Sequence, residues 1–181
     1  MLIMKKILVV LLLMTCPVAV SAQMLALKTN AMMDVAMVPN IGLEIATGNN
    51  TSLCANGLAS WSIYGMKAKT YGFIPEFRYW LSGNTFSKWF LGVGATFAHY
   101  DMDIAENNYL GSAYGAGLSV GYDCWLSKRI SVEFHGGVGL YYYHHARTGK
   151  DDNLPSPQKY NDSGWTVMPY QLGISFVYII K

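Results

Sequence analysis

The sequence predicts an all-β fold, an eight-stranded antiparallel up-and-down transmembrane β-barrel with a polar, glycine-rich, plugged lumen. Two observations favour it. Apolar and polar residues alternate through eight successive segments, and clusters of glycine, asparagine and serine separate several of those segments. The chain of 181 residues is 52% hydrophobic but only 13% charged. It nevertheless lacks the run of about 20 apolar residues that a membrane-spanning helix needs.

The alternation is clearest in residues 71–81, where the odd positions are bulky and apolar and the even positions include Glu76 and Arg78. Because side chains of a strand alternate between its two faces, this segment has one apolar face and one face that carries charge. The other segments repeat the pattern. We predict strands over residues 25–34, 41–47, 53–64, 71–81, 89–100, 113–126, 130–143 and 165–180.

The links between these segments indicate which end of the barrel is external. Tight turns are predicted at 48–50, 82–84 and 127–129, and longer links at 65–70, 101–108 and 146–164, although the first link, 38–40, is short. Outer-membrane barrels have short periplasmic turns, longer external loops and both termini on the periplasmic side. The longer links are therefore predicted to be external.

Volume decides which face points inward. An eight-stranded barrel has an interior just wide enough for side chains to fill, so the face that carries most strand glycines is predicted to line the lumen and the aromatic face to meet lipid. A soluble barrel is the alternative, but it would overfill its interior with large apolar groups. On the inward face we predict a structural network of ion pairs, formed by Lys28, Glu44, Glu76, Arg78, Asp123, Glu133 and His135.

The first 22 residues are predicted to be a cleavable signal peptide, and residues 23–181 the barrel. Lys5 and Lys6 precede an apolar stretch, and Val20-Ser21-Ala22 supplies the small residues of a cleavage site. A lipoprotein signal ending at Cys16 is an alternative. Without Lys5 and Lys6, 11 of the 13 basic residues remain against 11 acidic ones, which gives no electrostatic case for nucleic acid.

No catalytic, cofactor-binding or metal-binding residues are predicted. His144 or His145 with Ser163 is the only Ser/His combination near the external rim, and it is the basis of one alternative, a lipid-modifying enzyme. A narrow channel is another alternative. Cys54 is expected on the inward face and Cys124 on the outward face, as free thiols.

Several motifs resemble a known family. Leu27-Lys-Thr-Asn, Pro75-Glu-Phe-Arg-Tyr-Trp-Leu and Tyr114-Gly-Ala-Gly-Leu-Ser-Val-Gly-Tyr are similar to those of an uncharacterised outer-membrane β-barrel family of Bacteroidetes, a domain of unknown function sometimes encoded near fimbrial genes. The resemblance covers essentially the whole predicted mature chain. It implies a barrel in the outer membrane and no established activity.

The expected function is that of a non-enzymatic integral protein of the bacterial outer membrane. Its loops, above all 101–108 and 146–164, are expected to act as a surface contact or in fimbrial or other envelope assembly. The expected partners are outer-membrane lipid and a fimbrial or other envelope protein.

Overall fold

The computed structural model describes residues 24–63, 66–104, 107–149 and 159–180, which form one closed antiparallel barrel with its strands in chain order. The predicted fold class is confirmed. The predicted signal peptide, 1–22, lies outside the described residues. The strands are β1 (Leu25–Asn30), β2 (Asn40–Ala46), β3 (Thr51–Ile63), β4 (Met66–Trp80), β5 (Lys88–Ile104), β6 (Asn107–Trp125), β7 (Ile130–Gly149) and β8 (Lys159–Ile179).

Strand length increases steadily around the barrel, from 6 residues in β1 to 21 in β8. The predicted external loops are correspondingly wrong in their bounds. Residues 66–70 and most of 101–108 are paired strand, and the predicted loop 146–164 begins and ends within β7 and β8. Since about 9–11 residues cross a bilayer, β5 to β8 are long enough to continue beyond it as paired hairpins, whereas β1 and β2 fall short.

The two faces of the wall lie as predicted. Phe77, Leu91 and Leu118 on the outward face are 42%, 50% and 64% exposed, whereas Glu76 and Arg78 are 2% and 1% exposed inside. A continuous exposed surface of large apolar side chains on this scale is poorly solvated by water and matches hydrocarbon. Among the described residues, no helix is long and apolar enough to cross a membrane.

The link between β1 and β2 differs from the prediction, because residues 31–35 are helical. The helix α1 (Ala31–Val35) begins at Asn30, whose side-chain oxygen accepts hydrogen bonds from the backbone N–H groups of Met32 (3.0 Å) and Met33 (3.4 Å). Asn40 in turn accepts a 2.7 Å hydrogen bond from the Asn30 backbone N–H. A short apolar run fits period 2 and period 3.6 equally well, so its alternation alone does not exclude a helix.

An irregularity in β8 overturns a second expectation. The register shifts between Gly136 and Val138 of β7, which pair with Leu172 and Pro169. The consecutive residues Tyr170 and Gln171 are consequently both buried, at 4% and 7% exposed. Regular alternation through the predicted strand 165–180 would place Tyr170 on the outward face, but an extra residue in one strand reverses the side-chain alternation beyond it.

The interior consists of layers, which follow one another along β4. Ile74, then Glu76 and Arg78, then Trp80 occupy successive inward positions. We call the end with both described termini and the links 47–50, 81–87 and 126–129 the turn end, and the opposite end the loop end. Trp80 lies towards the turn end and Ile74 towards the loop end.

Large rings do enter this lumen, contrary to the expectation that they all face outward. They fit because they lie over glycines. A Cβ atom on Gly121 would come within 2.4 Å of the Phe90 ring, and one on Gly117 within 2.4 Å of Tyr170. The inward glycines therefore make room for rings as well as for charges.

Candidate functional site

The middle of the lumen holds a cluster of buried charges, which we call the charge layer and define as Lys28, Glu44, Glu76, Arg78, Glu133 and His135. Arg78 is its centre. Its Nη1 atom lies 3.0 Å from Glu44 Oε2 and 2.8 Å from Glu133 Oε2, and its Nε atom lies 2.7 Å from Glu76 Oε2. Three carboxylates from three strands thus share one guanidinium, whose planar set of donors suits this geometry.

Lys28 supplies the second cation. Its Nζ atom donates to Glu44 Oε2 at 2.9 Å and also to Glu133. Two serine hydroxyls bind carboxylate oxygens that the cations leave free: Ser52 donates to Glu44 at 2.5 Å, and Ser119 donates to Glu76. These bonds are what makes burial of so many ionised groups tolerable.

Asp123 and His135 occupy the margins of this cluster. The structure places Asp123 directly opposite Glu133 across the β6–β7 pair, with its Oδ2 atom accepting a 2.8 Å hydrogen bond from Ser131. His135 Nδ1 lies 3.1 Å from Glu133 Oε1. Six of the seven residues predicted for the network are therefore linked by ion-pair distances, and Asp123 lies beside them with a serine as its bonded partner.

The turn end is closed by an apolar cluster that we call the aromatic plug. Its rings are Trp80, Phe86 and Phe90, each 0% exposed, with Trp80 5.8 Å from Phe86 and 5.0 Å from Phe90 between ring centroids. Phe86 reaches inward from the link 81–87 with a φ of 59°, and the Trp125 indole donates to its carbonyl. The ring fixes this link across the end of the barrel. Ala26, Ala46, Val177 and Ile179 complete the plug.

Two contacts join the plug to the charge layer. The Trp80 indole N–H donates to Ser52 Oγ at 2.9 Å, and the guanidinium carbon of Arg78 lies 4.3 Å from the centre of the Phe90 ring. Ser52, Trp80 and Phe90 had no role in the sequence-based network, although their inward positions follow from strand alternation. On the loop-end side, Ile74, Tyr141 and Tyr170 form a second apolar cluster.

A small polar cavity of about 30 Å³ lies against the charge layer on the side of the loop end. Lys28, Arg78, Glu133 and His135 form its charged wall, and asparagine, glutamine and serine side chains supply most of the remaining polar atoms. The other lining residues are Asn30, Met33, Asn40, Asn56, Gly57, Leu58, Ile74, Gln171 and Ser175. A space of this size accommodates about two water molecules.

The two adjacent histidines of β7 point to opposite faces. His144 is exposed and lies directly opposite the exposed Ser163, whereas His145 is half-buried and stacks on Tyr143 with 5.4 Å between ring centroids. The Tyr100 hydroxyl lies 3.4 Å from His145 Nδ1. The Ser/His combination behind the enzyme alternative is thus split: one histidine accompanies Ser163 outside, and the other belongs to an inward aromatic group.

The remaining candidate ligands are dispersed. Cys54 is buried inside and Cys124 is exposed on the outward face. In the described parts of the chain, no three histidine, cysteine, aspartate or glutamate side chains are grouped in a way that could hold a metal ion.

These features define a class of protein: a closed eight-stranded β-barrel with an apolar outer surface and a lumen filled by a charge layer between two apolar clusters. The chain belongs to the family described as protein of unknown function (DUF3575), whose model matches residues 7–180. This confirms the resemblance as far as the family of unknown function. The Bacteroidetes and fimbrial associations stay predictions.

One solved structure, the crystal structure of Neisserial surface protein A, is similar with 12% sequence identity and a TM-score of 0.41. The match covers 86% of this chain and 94% of that one. No curated protein matches the chain.

Proposed function

We propose that this protein is a non-enzymatic integral barrel of the bacterial outer membrane, which carries the β5–β6 and β7–β8 hairpins as a contact surface for another envelope protein. The observation that supports this most is the filled lumen. Fully buried rings close the turn end, and a network of ion pairs lies immediately behind them. A barrel whose bore is filled in this way is better suited to be a rigid support than a channel.

The long hairpins supply the second part of the argument. Strands β5 to β8 have 17, 19, 20 and 21 residues, roughly twice what a bilayer crossing requires. Tyr142 and Trp165 form an exposed cross-strand ring pair on the β7–β8 hairpin, with 5.3 Å between centroids. Paired strands hold such groups in a fixed position, as a contact surface requires.

The identity of the partner is taken from the resemblance. A fimbrial subunit is the first candidate, and another envelope protein is the second. The predicted contact segment 146–164 includes residues 150–158, which lie outside the described residues.

Crosslinking on intact cells tests the contact. The test compares the wild-type barrel with a variant in which residues 150–158 are replaced by a two-residue Asn-Gly turn, and a second variant with a matched change in the turn-end link 126–129 is the control. The wild type and the control should capture the same envelope protein, and the shortened hairpin should lose it. Unchanged capture by the shortened hairpin would contradict the proposal.

The support role is tested separately in planar lipid bilayers. The purified barrel is expected to insert without producing discrete conductance steps, because the charge layer and the aromatic plug fill the bore. Stable single-channel currents from wild-type protein would favour the channel alternative.

Antibody access to inserted epitopes tests which end of the barrel is external. An epitope placed in 150–158 should be reached by antibody on intact cells, and one placed in 126–129 should be reached only after permeabilisation.

A further inference from the structure

The buried charges of the lumen do not balance. Lys28 and Arg78 contribute two positive charges, whereas Glu44, Glu76 and Glu133 contribute three negative charges, and all five side chains are at most 5% exposed. Asp123, which is 2% exposed opposite Glu133, adds a further carboxyl group. An uncompensated charge in such an interior is costly, so the network needs at least one more proton or positive charge.

Two unpaired atoms mark where that charge belongs. Glu133 Oε1 and His135 Nδ1 are both buried without a hydrogen bond of good geometry, and they lie 3.1 Å from each other. A proton on Nδ1 that points at Oε1 satisfies both atoms. Full protonation of the imidazole also supplies the missing charge, and imidazole is the side chain whose charge ordinarily changes between about pH 5 and 8.

The surroundings of His135 allow a proton to arrive from one side. The imidazole lines the polar cavity on the loop-end side of the charge layer, and Asn40 and Leu58 belong to the same cavity wall, whereas the aromatic plug closes the turn end. Gln171 Nε2, another buried atom without a hydrogen bond, belongs to a residue of the same cavity wall.

We propose that His135 is a proton-binding site of the lumen, occupied as an imidazolium paired with Glu133 and filled from the loop end through this cavity. The charged and titratable groups around it come from six elements. They are Lys28 on β1, Glu44 on β2, Cys54 on β3, Glu76 and Arg78 on β4, Asp123 on β6, and Glu133 on its own strand.

The sign of the pH dependence follows from this pairing. Because the bound proton removes a buried net charge, the folded barrel gains stability from it at mildly acidic pH. That stability is lost as the pH rises and the proton leaves. Acidification far enough to protonate Glu133 would also end the pairing, because it neutralises the carboxylate.

Histidine-selective NMR of the folded barrel in micelles tests the proposal on wild-type protein. His99 and His144, which are exposed, serve as internal references. The His135 signal, assigned with His135→Asn, should have the shifts of an imidazolium at pH 7. In Glu133→Gln, which removes the paired negative charge, the His135 signal should instead have the shifts of a neutral imidazole at pH 7. A neutral His135 at pH 7 in the wild type would overturn the proposal.

A stability measurement covers the case in which Glu133→Gln fails to fold. The temperature at which the wild-type barrel loses its heat-modifiable gel mobility should be higher at pH 6 than at pH 8, and His135→Asn should remove most of that difference. The series is repeated with tetramethylammonium in place of sodium and potassium. A wild-type barrel whose stability at pH 8 depends on sodium or potassium would show that a metal cation supplies the charge, against the proposal.

Discussion

The charge layer and the aromatic plug fill adjacent parts of one bore by opposite means. Arg78 and Trp80 occupy consecutive inward positions of β4, and both are almost completely buried. Arg78 is held by directed bonds to three carboxylates, and Trp80 chiefly by contact with Phe86 and Phe90. A filled lumen can therefore fail in two ways: a missing charge leaves its partners unpaired, whereas a missing ring leaves mainly space.

Removal of the central cation should have the largest effect. Arg78→Met leaves the carboxylates of Glu44, Glu76 and Glu133 without their shared guanidinium, so we expect the free energy of unfolding to fall by about 3–5 kcal/mol. Urea unfolding of the barrel refolded into lipid vesicles, followed by tryptophan fluorescence, measures it.

Two further variants sharpen that result. Arg78→Lys keeps the charge but not the planar fork and should lose less stability. Glu133→Gln added to Arg78→Met removes one of the excess negative charges and should recover part of the loss. If Arg78→Met were as stable as the wild type, pairing would not be what holds the charge layer together.

Removal of a plug ring should cost somewhat less. Trp80→Ala is expected to lower the free energy of unfolding by about 3 kcal/mol, because the apolar contacts of a fully buried ring are lost while Phe86 and Phe90 can partly close the space. The same urea titration measures it. Trp89→Ala is the matched control, because Trp89 is 53% exposed on the outward face of the neighbouring strand, and its loss should be smaller. Equal losses would mean that the plug contributes no more than the lipid-facing surface.

The sequence was sufficient to predict the parts of the lumen that depend on regular alternation. Glu76 and Arg78 are two residues apart in an uninterrupted strand, so their common face follows from geometry. Regular alternation through 165–180 would place Tyr170 outward, and the β8 irregularity reverses that alternation. Pro169, which lies at the register shift, is a signal of it in the sequence, because proline inside a sheet is found at edges and bulges. Phe86 was missed for a different reason, since a ring contributed by a link between strands belongs to no strand pattern.

Local sequence pattern also fails to predict the helix between β1 and β2. Asn30 is a good helix N-cap, yet it also ends an alternating segment, and local pattern alone does not separate the two interpretations. Tertiary contacts decide between them. The Asn30 side-chain amide donates to the Leu172 carbonyl at 3.2 Å, across the closure between β1 and β8.

The smallest expected effect concerns the space beside the charge layer. A Cβ atom on Gly92 would lie 2.3 Å from both Glu76 Oε1 and Ser119 Oγ, so Gly92→Ala must displace bonded polar groups and should lower the free energy of unfolding by about 1–3 kcal/mol. Gly57→Ala is the control in the same urea titration, because the nearest atom to its added methyl group is the Ile41 carbonyl oxygen at 3.9 Å. We expect that control to change stability by less than about 0.5 kcal/mol. Equal stability of the two variants would show that the charge layer accommodates an added methyl group as easily as the open space beside Gly57 does. The hydrogen bonds and ion pairs of the charge layer would then not make it more sensitive to added volume.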